Sequence, residues 1–120
     1  MYIIRKEFAF SASHILEGLA EGHPCGRLHG HNYVIVVELR STKLNDVGFI
    51  KDYRELDHIK KFIDDALDHK HLNDFLEFNP TAENMAKFFY ETWQKGTPFL
   101  YAIEVSETPK TNARYEPFFD

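Results

Sequence analysis

From His29 to Arg40 the chain alternates without a break. His29, His31, Tyr33, Ile35, Val37 and Leu39 fall on one parity, and Asn32, Val34, Val36, Glu38 and Arg40 on the other. A period of two is the period of a β-strand, whose successive side chains leave opposite faces. The reading is a strand with one covered apolar face, and the two histidines continue that face. Imidazoles at i and i+2 leave the same side of a strand and can meet on one metal ion. Burial there would shield the ion from water and strengthen its effect on a bound ligand.

A third imidazole comes from upstream. Between Tyr2 and His14 the residues Ile4, Phe8, Phe10 and Ala12 share parity with His14, interrupted only by Lys6. This predicts a first strand with His14 at or just past its end. His14, His29 and His31 together match the ligand count of a catalytic zinc that keeps one position open. Cys25 lies between the strands, in a stretch from Leu16 to Arg27 that holds Pro24 and three glycines and reads as a loop. Two roles are open to it. A thiol near a dication and imidazoles can ionise near neutral pH and act as base or nucleophile. Alternatively it is the fourth ligand of a closed structural site.

Downstream, Asp52 and Glu55 have the spacing of a capping box, and Leu56, Ile59, Phe62, Ile63, Ala66 and Leu67 recur at helical spacing. The helix is expected to run to about Asp68, bringing Asp68, His69 and His71 to its C-terminal end, where a histidine commonly serves as a dipole-complementing charge. A second helix opens at Asn79-Pro80-Thr81, with Asn79 or Thr81 as cap, and buries Ala82, Met85, Ala86, Phe89 and Trp93. Gly96 ends it. Tyr101, Ile103 and Val105 then alternate as a strand, and by parity Glu107 follows their covered face. A carboxylate in that position is costly unless donors meet it, so it either pairs with an internal cation or grips a ligand's N–H groups. A last strand is placed near Ala113 to Pro117. The order strand, strand, helix, helix, strand, strand predicts one α+β domain over residues 1–120, a four-stranded antiparallel sheet with both helices on one face. Its two edges invite pairing with further copies.

Composition bounds the function. A chain of 120 residues with 43% hydrophobic residues can bury a core, and a net charge of -5 argues against general nucleic-acid binding. No apolar run is long enough to span a bilayer. The single cysteine precludes an intrachain disulfide and suits a reducing compartment. The amino terminus, MYIIRKEF, lacks a signal peptide's apolar segment, so a cytoplasmic protein is expected.

The motifs FSASH, CGRLHGHNY, LDHKHLN, NPTAEN and the glutamate of VSET resemble, in order and rough spacing, those of the 6-pyruvoyltetrahydropterin synthase superfamily. Cys25 is separated from His29 by only Gly26, Arg27 and Leu28, which is similar to the prokaryotic 6-carboxytetrahydropterin synthase branch of queuosine synthesis. The resemblance implies the tunnelling fold, trimers closed into a barrel and stacked as a hexamer, with sites at subunit interfaces. It implies Zn2+ on His14, His29 and His31, Cys25 as catalytic base, Asp68 and His69 as a supporting relay, and Glu107 as anchor for a pterin. The implied substrate is 7,8-dihydroneopterin triphosphate, and the implied products are 6-carboxy-5,6,7,8-tetrahydropterin, acetaldehyde and triphosphate. Arg27 is a candidate phosphate contact, with a plain surface charge as its other reading. Thr81 is a candidate pterin contact, with helix capping as its other reading. Two other functions stand beside this one: a pyruvoyl-forming synthase that keeps the carbon chain, and a zinc-stabilised binding module.

Overall fold

The computed structural model describes residues 1–117. Strands β1 (Tyr2–His14) and β2 (His29–Ser41) form an antiparallel pair in unbroken register, from Tyr2 opposite Ser41 to His14 opposite His29. After β2 come α1 (Asp57–Ala66), β3 (Lys70–His71), α2 (Leu72–Phe75), α3 (Ala82–Trp93), β4 (Leu100–Thr108) and β5 (Thr111–Tyr115). The sheet order is β3-β1-β2-β4-β5. All neighbours are antiparallel except β3, which runs parallel to β1.

The expected antiparallel sheet of four long strands is present, with two additions. A fifth strand, only two residues long, and the one-turn helix α2 interrupt the stretch between the two main helices. Both follow from an early helix end. Asp52 and Glu55 make the capping box, but it opens a 3-10 turn over Tyr53–Leu56, and α1 stops at Ala66 rather than near Asp68. The chain then turns through His69 in the left-handed region (φ 59°), and the His69 N–H donates to the Ser11 carbonyl at 2.6 Å. That bond aligns Lys70 and His71 with Ala12 and Ser13. Such a pairing leaves no periodic signal in two residues.

One face of the sheet carries the core. Phe8, Phe10, Ala12, Tyr33, Ile35, Val37, Leu39, Ile103 and Val105 are buried against Ile59 and Ile63 of α1 and Met85, Ala86, Phe89 and Trp93 of α3. The α3 stripe is the one its spacing predicts, and a 3-10 turn over Gln94–Gly96 ends the helix. At β5 the strand begins two residues earlier than expected, at Thr111. The opposite face holds an ionic cluster: Glu38, whose side chain is 4% exposed, accepts from Arg5, Arg40 and Arg114, and Glu104 accepts from Arg5 and Arg114. Burying the Glu38 carboxylate is tolerated because both of its oxygens are met by guanidinium groups.

Candidate active site

The paired ends of β1 and β2 bring three imidazoles together. One ring nitrogen from each of His14, His29 and His31 lies within 4.8 Å of the others. His14 is fully buried, and His29 and His31 are partly so. Their tautomers follow from their neighbours. His14 Nδ1 lies 2.9 Å from the Pro80 carbonyl, and His29 Nδ1 lies 2.7 Å from the Arg27 carbonyl. A carbonyl only accepts, so each Nδ1 carries the proton and each Nε2 presents a lone pair. Those two Nε2 atoms face one another at 2.8 Å. Neither neutral ring can donate to the other, so the contact is repulsive until a cation shares both lone pairs. The Nε2 of His31 is buried and has no hydrogen-bond partner among the described residues; Glu107 Oε2, at 3.3 Å, does not meet it in hydrogen-bond geometry. Burial also holds the His14 ring below its ordinary pKa, against the opposing pull of the Pro80 carbonyl, which favours the neutral form a metal needs. The residues present therefore fit a divalent metal.

Second neighbours fix the rings. Tyr33 is fully buried, stacks on Phe10 at 4.9 Å, and brings its hydroxyl within 3.0 Å of His14 Nδ1. Burial, aided by the charge of Glu107, raises its pKa, so the phenol stays protonated. The chain leaving His14 is clamped by two amides. Asn73 bonds both polar atoms of the Ile15 backbone, and Asn79 does the same for Glu17. Sequence reading assigns Asn79 only an alternative helix-capping role, a place Thr81 takes, and assigns Tyr33 and Asn73 no role at the cluster, although each stands inside a motif. The Pro80 carbonyl carries no side-chain signal at all.

Cys25 sits in a 3-10 turn, Pro24–Gly26, capped by the His23 ring, which accepts from the Cys25 N–H. Its carbonyl accepts from Leu16 N at 3.1 Å, which ties the turn to the chain two residues beyond His14. The thiol is partly exposed and is not one of the clustered ligand atoms. Arg27 contributes its carbonyl to His29, and its side chain is exposed.

Asp68 and His69 lie beyond α1, against the opposite edge of β1. Asp68 Oδ1 accepts from the Ser11 N–H at 3.0 Å, and His69 Nδ1 lies 3.0 Å from the same oxygen. The Ser11 N–H first, then His69, hold its carboxyl below the usual range. His69 has no glycine-like freedom, and a left-handed backbone there costs about 1–3 kcal/mol. Bonds to Ser11 on both sides of the turn enforce it. Glu107 lies on the histidine side of the sheet, as its parity predicts, and the described residues give it no Arg or Lys partner. Thr81 caps α3, its hydroxyl accepting from Asn84 N at 3.1 Å.

The family pattern described as 6-pyruvoyl tetrahydropterin synthase matches residues 3–117. The chain belongs to that family. It is an enzyme of a pterin-processing family. A protein from Synechocystis named 6-carboxy-5,6,7,8-tetrahydropterin synthase is 38% identical over 96% of this chain and 93% of its own length. A Bacillus subtilis protein of the same name is 30% identical, covering 95% and 84%. The solved Caenorhabditis elegans 6-pyruvoyl tetrahydropterin synthase superposes with a TM-score of 0.85 at 28% identity, covering 98% of this chain and 96% of that one. The tunnelling fold implied by the motifs is the fold observed.

Proposed function

We propose that this protein is a cytoplasmic, zinc-dependent 6-carboxy-5,6,7,8-tetrahydropterin synthase of the 7-deazaguanine and queuosine route. It converts 7,8-dihydroneopterin triphosphate and water into 6-carboxy-5,6,7,8-tetrahydropterin, acetaldehyde and triphosphate. The observation that carries this reading is the pair of Nε2 lone pairs held face to face, with the unpartnered His31 nitrogen beside them. The names of the Synechocystis and Bacillus relatives support the product, and the substrate follows from the resemblance of the motifs.

His14, His29 and His31 would hold the zinc, which supplies Lewis-acid polarisation of the substrate's side-chain oxygens. Cys25, close in the chain to the cluster yet outside it, takes a proton from the substrate side chain as general base. His69, oriented by Asp68, passes protons onward, following the logic of a base held by a third group. Glu107 accepts parallel N–H bonds from the pyrimidine edge of the pterin, and that grip fixes the reacting side chain in place. Thr81 is a further pterin contact in this reading, and Arg27 a phosphate contact. The assembly is a hexamer of two trimers. Its support is the long unpaired outer edge of β1 before Ala12 and that of β5, which mass measurement of the native protein would test.

The Caenorhabditis homologue favours a second reading, elimination of triphosphate with the carbon chain retained. Incubation with 7,8-dihydroneopterin triphosphate separates them: acetaldehyde release supports the first, and a pyruvoyl product with no acetaldehyde overturns it. Cys25→Ala should keep one zinc per chain and the native fold while losing turnover; loss of zinc would make Cys25 a ligand and the site structural.

A further inference from the structure

Past His14 the chain leaves the sheet but is not released. Ile15 and Glu17 lie outside every strand, yet both polar atoms of each backbone are bonded by a single carboxamide. The Ile15 N–H donates to Asn73 Oδ1 and Asn73 Nδ2 donates back to the Ile15 carbonyl, each at 2.9 Å. Asn79 makes the same pair of bonds with Glu17, at 2.9 and 3.1 Å. A carboxamide carries an acceptor oxygen and N–H donors side by side, so each asparagine stands in for a missing strand partner. Both anchors are firm. Asn73 lies in α2, beside the fully buried Leu72, and the Asn79 carbonyl accepts from Thr81 N at 2.8 Å and from Asn84 Nδ2 at 2.9 Å.

The residue between the two clamps is Leu16, whose N–H donates to the Cys25 carbonyl at 3.1 Å. Among the described residues, one other hydrogen bond ties the stretch from Gly18 to Leu28 to anything outside it, that between His29 Nδ1 and the Arg27 carbonyl at 2.7 Å. The turn that carries the thiol is therefore held by Leu16 on one side and by a histidine ring on the other. The clamps are not what holds the rings. His14 is paired with His29 in the ladder, and its Nδ1 is met by the Pro80 carbonyl and the Tyr33 hydroxyl. Their grip falls one and three residues further on, on either side of the bond to Cys25.

We infer that Asn73 and Asn79 are positioning residues that set where Cys25 stands relative to the three histidines. That this position matters to catalysis rests on the reading of Cys25 as the base; the mechanical link does not. Loss of one carboxamide leaves two backbone groups to water, loosens Leu16 and releases the Cys25 carbonyl, while the ladder that carries the histidines stays closed.

Cys25 is the chain's single cysteine, so alkylation by iodoacetamide reports on it alone. In the purified full chain carrying its metal, Asn73→Ala and Asn79→Ala should each speed exchange of the Leu16 amide hydrogen about tenfold, the effect of one hydrogen bond lost from the closed state. Cys25 alkylation should accelerate with it. The amides of Tyr33 and Ile35, within the ladder, should keep their native exchange, and zinc affinity should be unchanged. With 7,8-dihydroneopterin triphosphate, kcat should fall about tenfold at constant KM, since the base is displaced and the binding groups are not. His58→Ala removes a 2.9 Å bond to Thr97 elsewhere in the fold and controls for lost stability alone; it should alter none of these readings. Native Leu16 exchange in both asparagine variants, or equal acceleration in His58→Ala, overturns the inference. So does faster exchange and alkylation with native kcat. If the native protein does not turn over the pterin, the pterin reading falls, and exchange and alkylation still decide whether the asparagines hold Cys25.

Discussion

Replacing Gly30 by alanine offers a test of how rigidly the histidine cluster is held. The new Cβ would meet the Ala12 carbonyl oxygen, a backbone atom, at 3.2 Å, so one strand must give by a few tenths of an ångström. Gly30 stands between His29 and His31 and pairs with Ser13, the residue before His14, so any displacement is passed to all three rings. Overpacking of this kind costs about 1–3 kcal/mol. For a domain of this size that lowers Tm by roughly 4–12 °C. Misaligned ligands should weaken zinc binding about tenfold, in the range seen when ligand orientation is disturbed. Gly26→Ala is the control, since its Cβ would come no closer than 3.9 Å to Leu16 O. Thermal unfolding of the metal-free proteins and competition with a chromogenic chelator give the two readings. If Gly30→Ala matches the native protein in both, the strand pair yields freely and the argument for a preset cluster fails.

Tyr33→Phe keeps the ring stacked on Phe10 but removes the hydroxyl at His14 Nδ1, so zinc affinity should fall about tenfold with the fold intact; unchanged affinity would mean that the Pro80 carbonyl alone orients the ring. Thr81→Ala should lower stability by about 1 kcal/mol through loss of the α3 cap, whereas Thr81→Ser should not; equal melting of the two variants would remove the capping argument. Burial pushes the Glu38 carboxyl up, but hydrogen bonds from Arg114, Arg40 and Arg5 outweigh it and bring the pKa down from 4.5 to about 2. A lowered folded-state value gives stability that is complete above pH 4.5 and is lost as pH falls toward 2. After allowance for screening at the half-exposed Arg5, the loss is about 2 kcal/mol. Urea unfolding across that window should show a shallower pH slope for Glu38→Gln, and parallel slopes would refute the assignment.

Period and parity carried most of the fold. The alternation through β2 placed His29, His31 and Tyr33 on the core face, and the parity of β4 put Glu107 on the same side as His31. Such signals survive because a slip of one residue would turn a buried face outward. The stretch from Leu67 to Phe75 was not legible in the same way. Its shape is set by hydrogen bonds between Ser11 and the pair Asp68 and His69, contacts across 57 positions or more that no local spacing encodes. The second neighbours of the cluster were hidden for a related reason, since the Asn73 and Asn79 amides act by reaching a distant backbone. Arg5, Glu38, Arg40, Glu104 and Arg114 read as ordinary surface charges one by one, and only strand register assembles them.

The thirteen consecutive pairs joining β1 to β2 end at His14 and His29, whereas Cys25 and Arg27 ride on the excursion that connects the two strands. Floor and rim are thus mechanically separate. The floor cannot change without unzipping a whole ladder, while the rim can lengthen, shorten or exchange side chains and leave the ligand geometry untouched. In a fold of this kind new chemistry is most readily acquired by remodelling that excursion, with the imidazole platform inherited unaltered.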